Sequence, residues 1–112
     1  MAQTLEQRAE PRVKCAVKVS CISDFKVFEA KADDISVSGA GIKSPKGYAA
    51  GEDLVLVFNA SCARRLLTVP AQVVWSDLDQ AGTEPGYRIG VKYLYLNREH
   101  KRIFRDFMAV CH

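Results

Sequence analysis

From Val13 the chain alternates. Val13, Cys15, Val17, Val19 and Cys21 fall on one side, with Lys14, Ala16, Lys18 and Ser20 on the other. A period of two sustained over this stretch predicts a half-buried strand. Ser23-Asp24 reads as a turn, and Phe25 to Asp33 as a second strand, with Phe28, Ala30 and Ala32 on one face and Glu29 and Lys31 on the other. The next stretch, Asp33-Asp34-Ile35-Ser36-Val37-Ser38-Gly39-Ala40-Gly41-Ile42, concentrates Asp, Ser and Gly, the composition of a sharp turn. Gly39 and Gly41 are expected to permit positive φ and close approach to the main chain. A short strand begins at Gly41-Ile42-Lys43 and stops at Ser44-Pro45-Lys46-Gly47. Leu54 to Phe58 is a continuous apolar run of strand length. Leu66 to Trp75 is again β-rich, and Pro70 in its middle predicts an edge, bulge or bend. Ser76 to Pro85 reads as a polar loop, and Gly86 to Leu94 alternates once more.

The period then changes. After Asn97, a candidate N-cap, Ile103, Phe104, Phe107, Met108 and Cys111 recur at helical spacing, while Arg98, Lys101, Arg102 and Arg105 fill the opposite side. Such a helix has an apolar stripe that needs a partner. Many short strands followed by one amphipathic helix predict a mainly β fold, a small antiparallel barrel capped by that helix. The aromatic residues Phe28, Phe58, Trp75 and Tyr93 alternate with polar ones and are expected to point inward, Trp75 among the core.

Residues 1–12 carry both charge signs and one Leu, and read as an arm outside the barrel of residues 13–112. Pro11 disfavours the α region for Glu10, so Arg8 and Arg12 are expected on an extended or turning segment. A chain of 112 residues with 48% hydrophobic content suits one domain with one core. Its net charge of +3 tolerates an anionic ligand but falls short of the dense basic face of a duplex-DNA binder. The first residues lack the apolar run of a signal peptide, and no apolar run is long enough to span a membrane, which makes a cytoplasmic protein the expectation. Cys15, Cys21, Cys62 and Cys111 have no metal-ligand spacing. Cys15 and Cys21 would share a strand face about 20 Å apart, too far to bridge. They read as packing residues.

Catalysis finds little support. His100 and His112 lie on the terminal helix, far in sequence from the Asp-Ser stretch, and no nucleophile elbow or metal spacing occurs. Ser36 beside Asp34 lacks a base to activate it. Asp33 and Asp34 would point to opposite faces of a regular strand and so would not act together. No enzyme, metal or cofactor is expected.

Two stretches combine into a longer signature. Arg8 and Arg12 give R-x-x-x-R, and Asp34, Ser36 and Gly39 give D-x-S-x-x-G about twenty residues later. Val73-Val74-Trp75 and Gly86-Tyr87-Arg88-Ile89-Gly90-Val91-Lys92-Tyr93 come after them at suitable distances. Together they resemble the PilZ domain, a bacterial receptor module for cyclic di-GMP, over nearly the whole chain. The resemblance implies a six-stranded antiparallel β-barrel with a C-terminal helix. It implies that Arg8 and Arg12 contact phosphate and guanine, while Asp34, Ser36 and Gly39 form the barrel side of the site. The residue chemistry agrees: Arg matches phosphate or the O6/N7 edge of guanine bidentately, and Asp accepts from guanine's N1–H and N2–H. Asp33 lies outside the motif and reads as a solvated charge. Gln7 stands where family members differ and where the residue influences whether one or two ligand molecules bind. The expected function is a cyclic di-GMP receptor that orders its arm on binding and signals to a downstream protein through an altered surface. The alternatives are an adapter of the same fold that binds no nucleotide, and a barrel for single-stranded nucleic acid, which would need exposed stacking aromatics.

Overall fold

The structure, a computed structural model, describes residues 13–60, 65–79 and 86–110. The arm with Arg8 and Arg12, and also Cys62 and Cys111, lie outside the described residues. The chain forms β1 (Val13–Ser23), β2 (Lys26–Ile35), β3 (Gly39–Ser44), β4 (Asp53–Ala60), β5 (Arg65–Asp79), β6 (Gly86–Tyr93) and a helix, α1 (Arg98–Val110). The strands close into an antiparallel barrel in the order β1-β2-β3-β6-β5-β4. Two three-stranded meanders, β1-β2-β3 and β4-β5-β6, are therefore joined by two non-local pairings, β3 with β6 and β1 with β4.

The predicted alternation supplies the interior. Val17, Val19 and Cys21 from β1 meet Leu54, Leu56 and Phe58 from β4, and Val69, Ala71 and Val73 from β5. The apolar run of β4 thus contributes every second residue to the core. Val55 and Val57, between them, face outward or half-outward. Burial of Leu- or Phe-sized side chains, each contributing roughly 1.5–3 kcal/mol, drives closure.

Two local expectations shift, and that for Pro70 takes a definite form. The first turn falls on Asp24 and Phe25, which pair Ser23 with Lys26 and have φ of 54° and 61°. Left-handed values at both central residues define the tight hairpin turn whose twist matches its flanking strands. The stretch from Ser76 is not a loop: Ser76 to Asp79 continues β5 and pairs with Ile89 to Gly86 of β6. Pro70 lies within β5, but its carbonyl accepts from Leu94 N–H at 2.9 Å, just past the last β5–β6 pair at Ala71 and Tyr93. Its missing N–H thus faces the side where the ladder with β6 has ended, the position predicted for a strand proline.

Asn97 caps α1 as expected, its Oδ1 accepting from His100 N–H at 2.8 Å. Ile103 and Phe104 are buried and Met108 is half-buried against the core. The Phe104 ring stacks on Tyr93 at 4.9 Å and meets Phe58 edge-on at 5.4 Å, so the helix docks on the barrel through an aromatic cluster. Replacing Phe104 with Ala should cost about 3–5 kcal/mol, the range for a fully buried aromatic. Urea unfolding of Phe104→Ala with an unchanged midpoint would show that the helix is not part of the core. Burial pushes the Cys21 thiol up from its ordinary 9.0 to about 11, with the nearby Glu29 charge adding to the effect. A raised thiol value favours the neutral form in the folded state. The stability it contributes is fully present below about pH 9 and is lost as the pH rises towards about 11. Cys21 should accordingly resist a disulfide reagent at pH 8 until the protein is unfolded, with rapid modification of the native protein at Cys21 as the contrary result.

Candidate functional site

The β2–β3 ladder pairs Ala32 with Ile42 and then Asp34 with Gly41, so Asp33 is an extra residue, a β-bulge. Its effect is on parity. Ala32 and Ile35 both lie in the core with no exposed surface, which strict alternation forbids for residues three apart. The bulge absorbs the odd residue and leaves Asp33 and Asp34 on the same outer side. The expectation that the two carboxylates point apart is therefore overturned.

Both converge on Arg88 of β6. Arg88 donates from Nε to Asp33 Oδ2 at 3.0 Å and from Nη2 to Asp33 Oδ1 at 2.8 Å, and the same Nη2 reaches Asp34 Oδ2 at 3.1 Å. Asp34, only 8% exposed, also accepts from the Gly41 N–H through Oδ1 at 3.1 Å. Asp33 is thus the bidentate anchor of an arginine, not a solvated charge. Hydrogen bonding to Asp33 raises the Arg88 pKa above its ordinary value; burial opposes this, and the charges of both carboxylates reinforce it. The guanidinium is a permanent cation here.

A second bulge mirrors the first. On β5, Val73 pairs with Val91 and Trp75 with Gly90, which makes Val74 the extra residue and turns Trp75 outward. Trp75 is 39% exposed and not a core residue, contrary to the alternation. Its indole lies over Gly90: a Cβ there would collide with Nε1 and come within 2.8 Å of Cζ2. The Arg88 guanidinium carbon is 5.8 Å from the ring centroid, within cation–π range. Asp34, Gly41, Gly90 and Trp75 consequently form one transverse row on the outer surface, each paired with the next. Two facing glycines make a floor with no side chains of its own, covered by the Asp33, Asp34 and Arg88 cluster over Gly41 and by the Trp75 indole over Gly90.

Gly39 and Gly41 serve space rather than backbone freedom. Among the described glycines only Gly51 has positive φ. A Cβ on Gly41 would sit 2.8 Å from Asp34 Oδ2 and 3.0 Å from Arg88 Nη2, and one on Gly39 would strike the Val91 carbonyl oxygen. Ser36 is fully buried. Its Oγ accepts from the N–H groups of Ser38 (3.3 Å) and Gly39 (3.2 Å), and its own N–H donates to Gly39 O at 2.9 Å. Ser36 therefore organises the β2–β3 turn that carries Asp34 to the floor. Of the five residues expected from the sequence, Asp34, Ser36 and Gly39 are brought together; Arg8 and Arg12 lie outside the described residues. Missed were Asp33, Arg88, Trp75 and the Gly41–Gly90 pair. Arg88 alone carried a readable signal, since the alternation of Arg88, Ile89, Gly90 and Val91 sends it outward beside a glycine.

A partly exposed aromatic face and a shielded carboxylate acceptor in one row suit a planar molecule that carries hydrogen-bond donors. No group of His, Cys, Asp and Glu able to hold a metal ion occurs among the described residues. The family model for the PilZ domain matches residues 6–109, and the chain belongs to that family. No curated protein sequence matches it. Among solved structures it is similar to the PilZ domain of YcgR from Escherichia coli with c-di-GMP, at 12% identity and a TM-score of 0.78, covering 94% of this chain and 91% of that one. It is also similar to the Bacillus subtilis inhibitor of motility MotI/DgrA, at 15% identity and a TM-score of 0.76, covering 92% and 49%. The K. pneumonia MrkH–c-di-GMP complex matches at 14% identity and a TM-score of 0.69, covering 89% and 50%. The chain thus spans nearly all of the first of these and about half of the other two. No described helix is long and apolar enough to cross a membrane.

The packing of the indole on Gly90 is directly testable. Gly90→Ala should displace Trp75, the one tryptophan, towards water and shift its emission to the red. Unchanged emission would mean that the ring does not rest on this strand.

Proposed function

We propose that this chain is a cyclic di-GMP receptor without catalytic activity, and that the ligand seats against the Asp34 carboxylate and the exposed indole of Trp75, the side chains at the two ends of the Gly41–Gly90 floor. The observation that carries this is Asp34, a nearly buried carboxylate held by Gly41 N–H and Arg88 at the edge of that floor. Asp accepts only, and so matches the N1–H and N2–H donors of guanine. Membership of the PilZ family and likeness to two structures described with c-di-GMP support the reading. In it, Arg8 and Arg12 supply the phosphate and guanine contacts, Trp75 offers a stacking face, and Ser36 and Gly39 set the turn. Arg88 is a positioning residue that fixes the Asp34 carboxylate, and Asp33 in turn fixes Arg88.

Signalling would come from the arm. Residues 1–12 cannot bury enough apolar surface to offset an ordering entropy of roughly 1–2 kcal/mol per residue. Charge-assisted hydrogen bonds from Arg8 and Arg12 to the ligand can hold residues 8–12 against the barrel. The ordered arm and the ligand then form the surface that a downstream protein reads.

Titration with cyclic di-GMP, followed by calorimetry and Trp75 emission with GTP and an oligonucleotide as controls, tests the reading. Arg8→Ala and Arg12→Ala should each cost about 1–3 kcal/mol of binding. Asp34→Ala should weaken binding as well, and Asp33→Ala should weaken it less, through the loosened Arg88. Wild-type affinity in both arginine variants would sink the assignment. Hydrogen exchange should show residues 8–12 gaining protection only with ligand and not in Arg8→Ala/Arg12→Ala; equal protection in the two states would remove the arm mechanism even if binding holds.

A further inference from the structure

One row of outward-facing residues next to the floor is cationic across four strands. Lys18 of β1 is opposite Lys31 of β2, Lys31 is opposite Lys43 of β3, and Lys43 is opposite Arg88 of β6. Directly opposed residues share a face with Cβ atoms about 4.5–5.5 Å apart, and like charges so placed are destabilising. The three lysines are on the outer surface, and none has an acidic partner among the described residues. Arg88 does have partners, Asp33 and Asp34, so the uncompensated part of the row is Lys18, Lys31 and Lys43.

We propose that this row docks a short acidic segment of a partner protein. Its shape decides between polyanions. With strands about 4.8 Å apart, the row runs roughly 14 Å from Lys18 to Arg88. It is one residue wide. On one side lies Glu29, which accepts from Ser20 at 3.0 Å; on the other lie Asp33 and Asp34; and past Arg88 stands Asp77. A nucleic-acid backbone needs a basic track that continues along its length, and here it would meet acid on three sides. A protein segment can instead carry a few carboxylates and stop. Glutamates three or four residues apart on a helix lie about 5–6 Å from one another, close to the spacing of the lysines. The lysine stems are long enough to take up the difference. This proposal does not depend on the identity of the small ligand, because no residue of the Lys18–Lys31–Lys43 set belongs to the Asp34–Trp75 floor.

The test uses the full chain and a labelled helical peptide bearing glutamates at every fourth position. Its glutamine counterpart and a single-stranded oligonucleotide of equal charge serve as competitors. The glutamate peptide should bind the wild type, lose affinity with rising salt, and bind K31E/K43E at least about tenfold more weakly. K18E should weaken it too, while K101E, on the exposed face of α1, should bind like the wild type. Equal affinity for K31E/K43E and K101E would overturn the row as a site, as would no binding at all. Tighter binding of the oligonucleotide, lost in K31E/K43E, would overturn the proposal and assign the surface to nucleic acid. A self-association abolished by K31E/K43E would overturn it in favour of a second copy of the chain. Cyclic di-GMP affinity measured on the same proteins keeps the two readings apart. A wild type that binds the peptide but not the nucleotide loses the receptor reading and keeps the row; the reverse pattern does the opposite.

Discussion

The site depends on a single additional residue in β2. Without the bulge at Asp33, alternation from Ala32 would bury Asp34 and expose Ile35. A buried lone carboxylate costs several kcal/mol unless it is paired. The bulge avoids that cost by placing both acids on the surface side within reach of one arginine. It also sets Asp34 opposite Gly41, where the main-chain N–H can serve it. The bulge in β5 does for an indole what the first does for carboxylates, and the two flank the same pair of glycines.

The two bulges also explain which parts of the molecule are legible in its sequence. Regular elements are, because their physics is periodic: the alternation of β1, the apolar run of β4, and the helical stripe capped by Asn97. Trp75 and the relative placing of Asp33 and Asp34 are misread for one common reason. A bulge is a property of pairing between strands, not of either strand's own pattern, and it inverts the parity of every later residue in its strand without changing composition. Even a correct strand assignment thus places Trp75 inside. The glycines show a related limit. Gly39 and Gly41 stand out as turn formers, yet neither has positive φ. What excludes a side chain is the Val91 carbonyl in one case and the Asp34–Arg88 contact in the other. Asp34, Ser36 and Gly39 emerge as a set through family resemblance, and their division of labour becomes visible only in three dimensions. Ser36 uses its hydroxyl inside the turn, whereas Asp34 is presented at the floor.

The lysine row and the glycine floor lie next to each other on the same strands. β2, β3 and β6 each give one residue to the lysine row and another to the floor, with Arg88 ending the first and bordering the second. The barrel can keep the two sets of charges so close because Asp33 and Asp34 neutralise the arginine between them. A rigid sheet then fixes the distance between the two rows, which flexible loops would let drift.

The order in which the barrel can assemble gives the site a further character. β1-β2-β3 and β4-β5-β6 each form by pairing sequence neighbours, but β3 must find β6 across a long intervening chain. Asp33, Asp34 and Gly41 come from the first meander; Arg88, Gly90 and Trp75 come from the second. Non-local pairings of this kind are slow to form, since chain entropy must be lost before any contact rewards it. Neither half alone possesses the complete row from Asp34 to Trp75. A nascent or partly opened chain therefore lacks the complete row, and any molecule resting across the β3–β6 seam would clasp together the two halves where the barrel is most costly to close.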